Sequence, residues 1–338
     1  MENTYKKSVL VSNKLSINTF QKRLDEFKET EYYLRKLNKY NCLTSVKNID
    51  DIYEYHLDNG KIILKNRMGS KSKYGIIFLT TNKFNKKLFA TKLTNMTDEN
   101  TREIEISRHL SDISIKKLSP HFLLIYKTFF CLNKKTDKYI PNLIKYENYY
   151  ISINELINGT LKQFLHLKLP FEFVLNAFQQ IIISILSFHY FTNGIYHHDC
   201  HYKNFLYVKI KAGGYFHYKL FGNDYYIKNL GYLWLIWDFG LARDDDYSKS
   251  LRIKDYFRII EFFQLDNDLS LMSVLDKNII NIARQILTYR NNYLYYFENS
   301  DKKFFDECIF KNNLLLTKLD IKTSIKTINK KPYIINDF

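Results

Sequence analysis

The sequence predicts an α+β fold in two lobes, a small antiparallel β lobe followed by a larger, mainly helical lobe with a β insertion. Three observations carry this expectation: short β-rich runs between Lys61 and Leu93, a stretch from Phe171 to Asn193 that is apolar on nearly all helical faces, and strand-like pieces from Leu206 to Trp237 joined by glycine turns.

Each element has its own signal. Ile17, Phe20, Leu24, Phe27, Leu34 and Leu37 recur at helical spacing with charges between them, so residues 16–40 read as an amphipathic helix opening at Ser16. Residues 1–58 are expected to form a helical extension packed on the main domain. Lys61 to Leu64, Tyr74 to Thr80 and Lys87 to Leu93 are β-rich and separated by turn-like stretches, which suits a small antiparallel sheet. Thr97 then caps a helix running to Leu110, with Asp98 and Glu99 in the first turn, where the helix dipole favours negative charge. Leu123 to Leu132 and Tyr149 to Asn154 add two strands, and Glu155 to Thr160 is a glycine-containing connector between lobes.

Beyond the connector, Asn193 and Gly194 stop the long apolar helix, since both tolerate left-handed backbone. Leu206 to Ile210, Tyr215 to Phe221, Tyr225 to Ile227 and Gly231 to Trp237 form the β insertion, linked by Gly213-Gly214 and Gly222-Asn223-Asp224. Residues 59–265 are expected to be the main domain, with its first lobe at 59–154 and its second from 159. Residues 266–338 complete a reduced helical lobe and a C-terminal tail.

A chain of 338 residues with 46% hydrophobic content can bury a proper core. The formal charge is +16, from 51 Lys+Arg against 35 Asp+Glu. Lys, Asn, Ile, Tyr and Phe are abundant while Pro is scarce, as A+T-rich codons dictate, and no basic run stands out. No specific nucleic-acid surface is therefore expected. Cys42, Cys131, Cys200 and Cys308 form no CxxC pair, which predicts neither a zinc site nor a disulfide framework and suits a reducing compartment. Met1 to Leu15 lacks the apolar core of a signal peptide. Ile181 to Leu186, Phe188 to Phe191 and Tyr232 to Trp237 are too short, or too interrupted by Gln179, Gln180, Ser184 and Ser187, for a membrane span. A soluble, intracellular protein that is not secreted is expected.

Chemistry concentrates in two stretches, His197-His198-Asp199-Cys200-His201-Tyr202-Lys203-Asn204 and Asp238-Phe239-Gly240. A carboxylate in the first can accept a proton from an attacking hydroxyl, and an amide oxygen five positions later can hold a hard cation. The second supplies a carboxylate able to grip a cation that shares phosphate oxygens. Three loop histidines without a fourth ligand in view do not read as a chelating site.

Gly69 through Gly75, Ala90-Thr91-Lys92, Arg102-Glu103-Ile104 and Glu155-Leu156-Ile157 precede these stretches in order. In that order, over roughly residues 60 to 265, the chain resembles the protein kinase-like superfamily, and most of all the divergent serine/threonine kinases of large DNA viruses with A+T-rich genomes. The resemblance implies a bilobal protein kinase-like fold that transfers a phosphoryl group from ATP, with Mg²⁺, to a protein Ser or Thr hydroxyl, in a host cytoplasm or a virion. It assigns Asp199 as the base or orienting group and Asn204 and Asp238 as metal ligands. Lys92 would contact the α and β phosphates, held by Glu103. Gly69, Ser72 and Gly75 would cover the phosphates. Ile77, Ala90 and Leu206 would enclose the adenine, the backbone of Glu155 and Ile157 would bind its edge, and Asn154 would limit the pocket's depth. His197 would buttress the Asp-Phe-Gly turn.

The chain also departs from the family pattern. Ser70 and Ser72 stand where glycines would align, and no Ala-Pro-Glu triplet separates Gly240 from Lys254-Asp255-Tyr256-Phe257-Arg258. His198 replaces the Arg that pairs with a phosphorylated segment in many protein kinases, so activity should not need that phosphorylation. His201 occupies the place where protein kinases carry Lys or Arg to stabilise the transferring phosphoryl group, and where kinases of the aminoglycoside and choline type often carry His. Two alternatives therefore stay open: a small-molecule kinase on the same fold, and a catalytically weak scaffold. ATP and a protein substrate are the implied partners, with no membrane and no marker of oligomeric state.

Overall fold

The computed structural model describes residues 20–47, 53–68, 75–84, 86–132, 148–264, 277–317 and 326–336. The fold is mixed α+β and divides into two units, one within residues 21–111 and 123–157, the other within 112–122 and from 158 onward.

The first unit contains α1 (Phe20–Arg35), β1 (Thr44–Lys47), β2 (Tyr53–Leu57), β3 (Ile62–Met68), β4 (Ile76–Asn82), β5 (Leu88–Asn95), most of α2 (Asp98–Ile115), β6 (Ile125–Cys131) and β7 (Tyr149–Asn154). Its seven strands form one antiparallel sheet in the order β1-β2-β3-β4-β5-β7-β6. Leu24, Phe27 and Leu34 line the buried stripe of α1, and Phe27 stacks on Tyr126 of β6 at 5.2 Å between ring centroids. Ser16 and Ile17, where the sequence placed the helix start, lie outside the described residues. The N-terminal region is not the purely helical extension expected: β1 and β2 extend the sheet from within it. At α2, the Thr97 hydroxyl accepts the Asn100 N–H at 3.3 Å, the cap the sequence predicts.

The cysteine expectation needs correction. Cys42 and Cys131 are joined as a disulfide across 89 residues. Spacing could not reveal it, because the partner is supplied by strand-like pairing: Phe130 N–H donates to Lys39 O at 2.7 Å and Asn41 N–H to Phe130 O at 2.9 Å, which carries Cys42 to the end of β6.

The second unit begins with β8 (Gly159–Thr160), α3 (Leu161–Leu165) and α4 (Phe171–Phe191). Then come β9 (Phe205–Lys209), β10 (Tyr215–Leu220), β11 (Asn223–Lys228) and β12 (Tyr232–Ile236). After α5 (Asp246–Lys249) and α6 (Lys254–Gln264) the chain continues through α7 (Lys277–Leu287), α8 (Tyr293–Phe297), α9 (Asp301–Phe304) and β13 (Tyr333–Ile335). Two three-stranded sheets result, β12-β9-β8 and β11-β10-β13. The sequence read the turn of the second hairpin as Gly222-Asn223-Asp224. Asn223 instead pairs with Leu220, leaving a two-residue turn, Phe221-Gly222, with φ of 50° and 88°, the left-handed pair a tight twisted hairpin needs. The tail contributes β13, parallel to β10, so the C-terminal region is not helical alone.

Ala177, Phe178, Ile181, Ile185 and Phe188 of α4 are essentially inaccessible, which makes this helix the core of the unit. Each of the isoleucine and phenylalanine side chains contributes about 1.5–3 kcal/mol by leaving water. Among the described residues α4 alone is long and apolar enough to cross a membrane, contrary to the expectation that its serines and glutamines rule this out. Yet 72% of its most apolar window is buried inside the protein, and Gln180 bonds Asn176, Tyr232 O and Trp234 N there. The helix ends as the sequence predicts: Asn193 and Gly194 have φ of 56° and 79°, and Gly194 N–H closes back on His189 O at 2.7 Å.

Candidate active site

In the first unit, strand register gathers the predicted nucleotide contacts. Ile77 pairs with Lys92 and Leu79 with Ala90, while Ala90 and Lys92 face Asn154 and Ser152 of β7, so Ile77, Ala90, Lys92 and Asn154 share one face of the sheet. The Lys92 ammonium is ion-paired with Glu103 of α2, and both side chains are buried. Such a desolvated pair fixes the ammonium far more firmly than a surface pair would.

Gly69 and Ser72 lie outside the described residues. A Cβ on Gly75 would fall 2.6 Å from Leu93 O, so packing against β5 by itself demands glycine there. The Glu155 N–H is spent on Leu124 O at 2.9 Å, whereas the Ile157 amide has no protein partner among the described residues. The Glu155 carboxylate faces inward: Arg23 of α1 reaches it twice, at 2.7 and 2.5 Å, and the Leu124 N–H donates at 2.7 Å. Sequence reasoning missed Arg23, which stands 132 residues away in a helix full of charge.

The second unit brings together Asp199, His201, Asn204 and Asp238. Phe205 pairs with Ile236, so the chain enters β9 from Asn204 and leaves β12 toward Asp238 at the same end. Three further links bind the two loops: Tyr196 and Arg243 exchange backbone hydrogen bonds at 3.0 and 2.9 Å, Trp237 N–H donates to Asn204 O at 3.0 Å, and His197 Nε2 meets Trp237 O at 3.2 Å. His197 Nδ1 accepts the Asp199 N–H at 3.3 Å, which leaves Nε2 as its protonated nitrogen. Burial holds this imidazole below its usual pKa, opposed by the charges of Asp255, Asp199 and Asp238, all of which act on it. Phe239 stacks on Phe188 at 5.2 Å and presents its edge to His197, so the Asp-Phe-Gly segment is anchored in the core.

Asp199 is held on several sides. The Asn204 amide donates to its carboxylate at 3.0 Å and to its carbonyl at 2.9 Å; His201 Nε2 lies 3.3 Å from Oδ2, and Arg258 Nη2 lies 3.3 Å from Oδ1. Partial burial alone would raise its pKa, but the His201 hydrogen bond and the positive charge of Arg258 outweigh it and keep the carboxyl below the ordinary value. Asp238 and His198 both have left-handed backbone, φ 68° and 66°. Non-glycine residues hold that conformation when their surroundings enforce it, and such strain clusters at functional sites.

The enforcement on His198 comes from α6. Asp255 accepts the N–H groups of His197 and His198 at 2.8 and 3.1 Å, and Arg258 donates to His198 O at 2.6 Å. Beneath it, fully buried His189 bridges Asp255 at 3.0 Å and Asp301 at 2.9 Å, while Arg252 and Tyr256 also bond Asp301. No local pattern marks Asp301, which sits in a region without motifs.

Leu206 is buried on β9, paired with Leu235 and Thr160. For a metal, Asn204 and Asp238 offer hard oxygen donors at one end of paired strands, a sparse set that fits Mg²⁺, which keeps waters and shares phosphate oxygens. No cluster of three His, Cys, Asp or Glu side chains among the described residues makes a ready-built cage. Comparison with models of known protein families and with curated proteins finds no match to the chain.

Proposed function

We propose that this chain is an ATP-dependent phosphotransferase of the protein kinase-like fold that acts on Ser or Thr hydroxyls of a protein. The observation that carries the reading is the anchoring of Asp199, Asn204 and Asp238 at one end of the β9–β12 pair, the first two on a loop whose backbone Asp255 fixes. Phosphoryl transfer asks a protein mainly to position and neutralise charged oxygens, and these residue types suit that task.

On this reading Asp199 accepts a hydrogen bond from the acceptor hydroxyl and aims it in line with the γ-phosphorus. The oxygen–phosphorus bond forms, the bond to the β-phosphate oxygen breaks, and the hydroxyl proton passes to Asp199. A carboxylate with a lowered pKa is a weak base, so Asp199 orients first and takes the proton late. Asn204 and Asp238 would hold a magnesium ion, which supplies neutralisation of phosphate charge when bound. Lys92, kept in place by Glu103, would contact the α and β phosphates.

A small-molecule acceptor is favoured by a separate observation: only the short stretch from Leu241 to Ile253, including the single turn of α5, lies between Gly240 and α6. Transfer of labelled phosphate from Mg²⁺-ATP to casein-like proteins, basic peptides and amino alcohols decides between them. Label in polypeptide supports the protein kinase reading, label in amino alcohols alone the small-molecule one. Absence of transfer together with a melting temperature unmoved by Mg²⁺-ATP contradicts both.

A further inference from the structure

Transfer of a phosphoryl group places developing negative charge beside the residue that orients the acceptor, and fixed cations aimed there supply much of the rate. His201, two residues beyond Asp199, brings a dipole in the observed pattern. Its Nδ1 accepts the Lys203 N–H at 3.1 Å, so Nε2 carries the proton and turns it toward Asp199.

Arg258 stands at the other oxygen of the same carboxylate. Nη1 donates to His198 O at 2.6 Å and Nη2 lies 3.3 Å from Asp199 Oδ1. Its side chain is 46% exposed, and its remaining N–H groups have no protein partner among the described residues. A guanidinium offers five N–H donors in one plane, so one edge grips the loop while the rest face solvent. The root of the side chain is equally fixed. Arg258 lies one helical turn after Asp255, so a single turn of α6 sets both the loop backbone and the cation.

We propose that Arg258 is a catalytic residue of this site, binding the transferring phosphoryl group of ATP and stabilising the charge that develops on it. The proposal rests on the phosphotransferase reading and adds to it the source of the missing cation. Its present contact with Asp199 is single-point and half exposed, hence weak, whereas a guanidinium meets phosphate oxygens in a two-point fork. When the phosphoryl group arrives, the bond to His198 O can hold the guanidinium while its free edge turns to the phosphate. Arg258 donates hydrogen bonds throughout and gives up no proton; the acceptor proton goes to Asp199.

The test measures affinity for Mg²⁺-ATP and Mg²⁺-ADP by calorimetry, and transfer rate, in wild type, Arg258→Ala and Arg258→Ala combined with His201→Lys. Expected are an ATP-over-ADP preference in wild type that Arg258→Ala largely abolishes, ADP affinity unchanged within about twofold, and transfer reduced about 10²- to 10³-fold. His201→Lys in that background should recover about tenfold or more, because it returns a cation near the same phosphate. Arg258→Gln, which keeps a donor for His198 O without the charge, replaces the alanine variant if that fails to fold. Retained ATP preference with near-normal transfer, or equal weakening of both nucleotides with no recovery from His201→Lys, overturns the proposal and reduces Arg258 to a structural residue. A wild type that binds neither nucleotide overturns the phosphotransferase reading itself, a distinguishable result.

Discussion

His189 Nδ1 lies 2.9 Å from a carboxylate oxygen of Asp301, with both side chains sealed from solvent. Asp255 holds the other ring nitrogen at 3.0 Å, so both N–H groups of an imidazolium are matched to carboxylates directly beneath the Asp199 loop. Burial alone would lower the His189 pKa. The Asp301 charge and the hydrogen bonds of both aspartates outweigh it and lift the value to about 9.

The sign of the pH effect follows from this shift. A histidine raised from 6.5 to about 9 on folding contributes stability that is complete below about pH 6.5 and is lost as pH climbs through 9. The loss should be on the order of 3 kcal/mol. Urea denaturation between pH 6 and 10 measures it: wild type should weaken across this window, and His189→Gln, less stable at pH 6, should show a flatter profile. Equal slopes in the two proteins contradict the charged assignment.

The buried Arg23–Glu155 pair makes a second prediction. Arg23→Ala leaves the Glu155 carboxylate buried without its partner and should cost about 3–5 kcal/mol. Adding Glu155→Gln removes the orphaned charge, so the double variant should be more stable than Arg23→Ala alone. Denaturant midpoints of the three proteins decide; an additive double loss refutes the coupling.

The Cys42–Cys131 bond closes a long loop. Reduction, or Cys42→Ser, should cost about 2–4 kcal/mol by freeing the unfolded chain. A lower melting temperature under reducing conditions is expected, with no further drop when Cys42→Ser is reduced. An unchanged midpoint on reduction contradicts a structural bond.

What the sequence made legible was whatever local pattern determines. β-rich composition between turn-like stretches located β4 and β5, a further β-rich run located β7, the Asn193-Gly194 stop ended α4, and Thr97 opened α2, because each signal lies within a few residues of its effect. Asp199, Asn204 and Asp238 stood out by residue type and order within two short stretches, and the direct pairing of β9 with β12 is what brings those stretches to one end. Partners that meet only through the fold left no trace: Arg23 with Glu155, Cys42 with Cys131, Asp301 with His189, and β13 with β10 are joined by packing at long sequence separation. Arg258 was visible as a residue, but its position beside Asp199 depends on how α6 docks under the loop. Gly75, read as part of a phosphate cover, is required by its close approach to the backbone of β5.

The most direct test of the central claim is single-turnover transfer of the γ-phosphoryl group from Mg²⁺-ATP to a hydroxyl acceptor, compared between wild type and Asp238→Asn with folding checked by circular dichroism. Measurable transfer is expected in wild type, with a loss of about 10²-fold or more in a variant that remains folded. Equal transfer by the two proteins, or none by a wild type that melts at the same temperature with and without nucleotide, would contradict it.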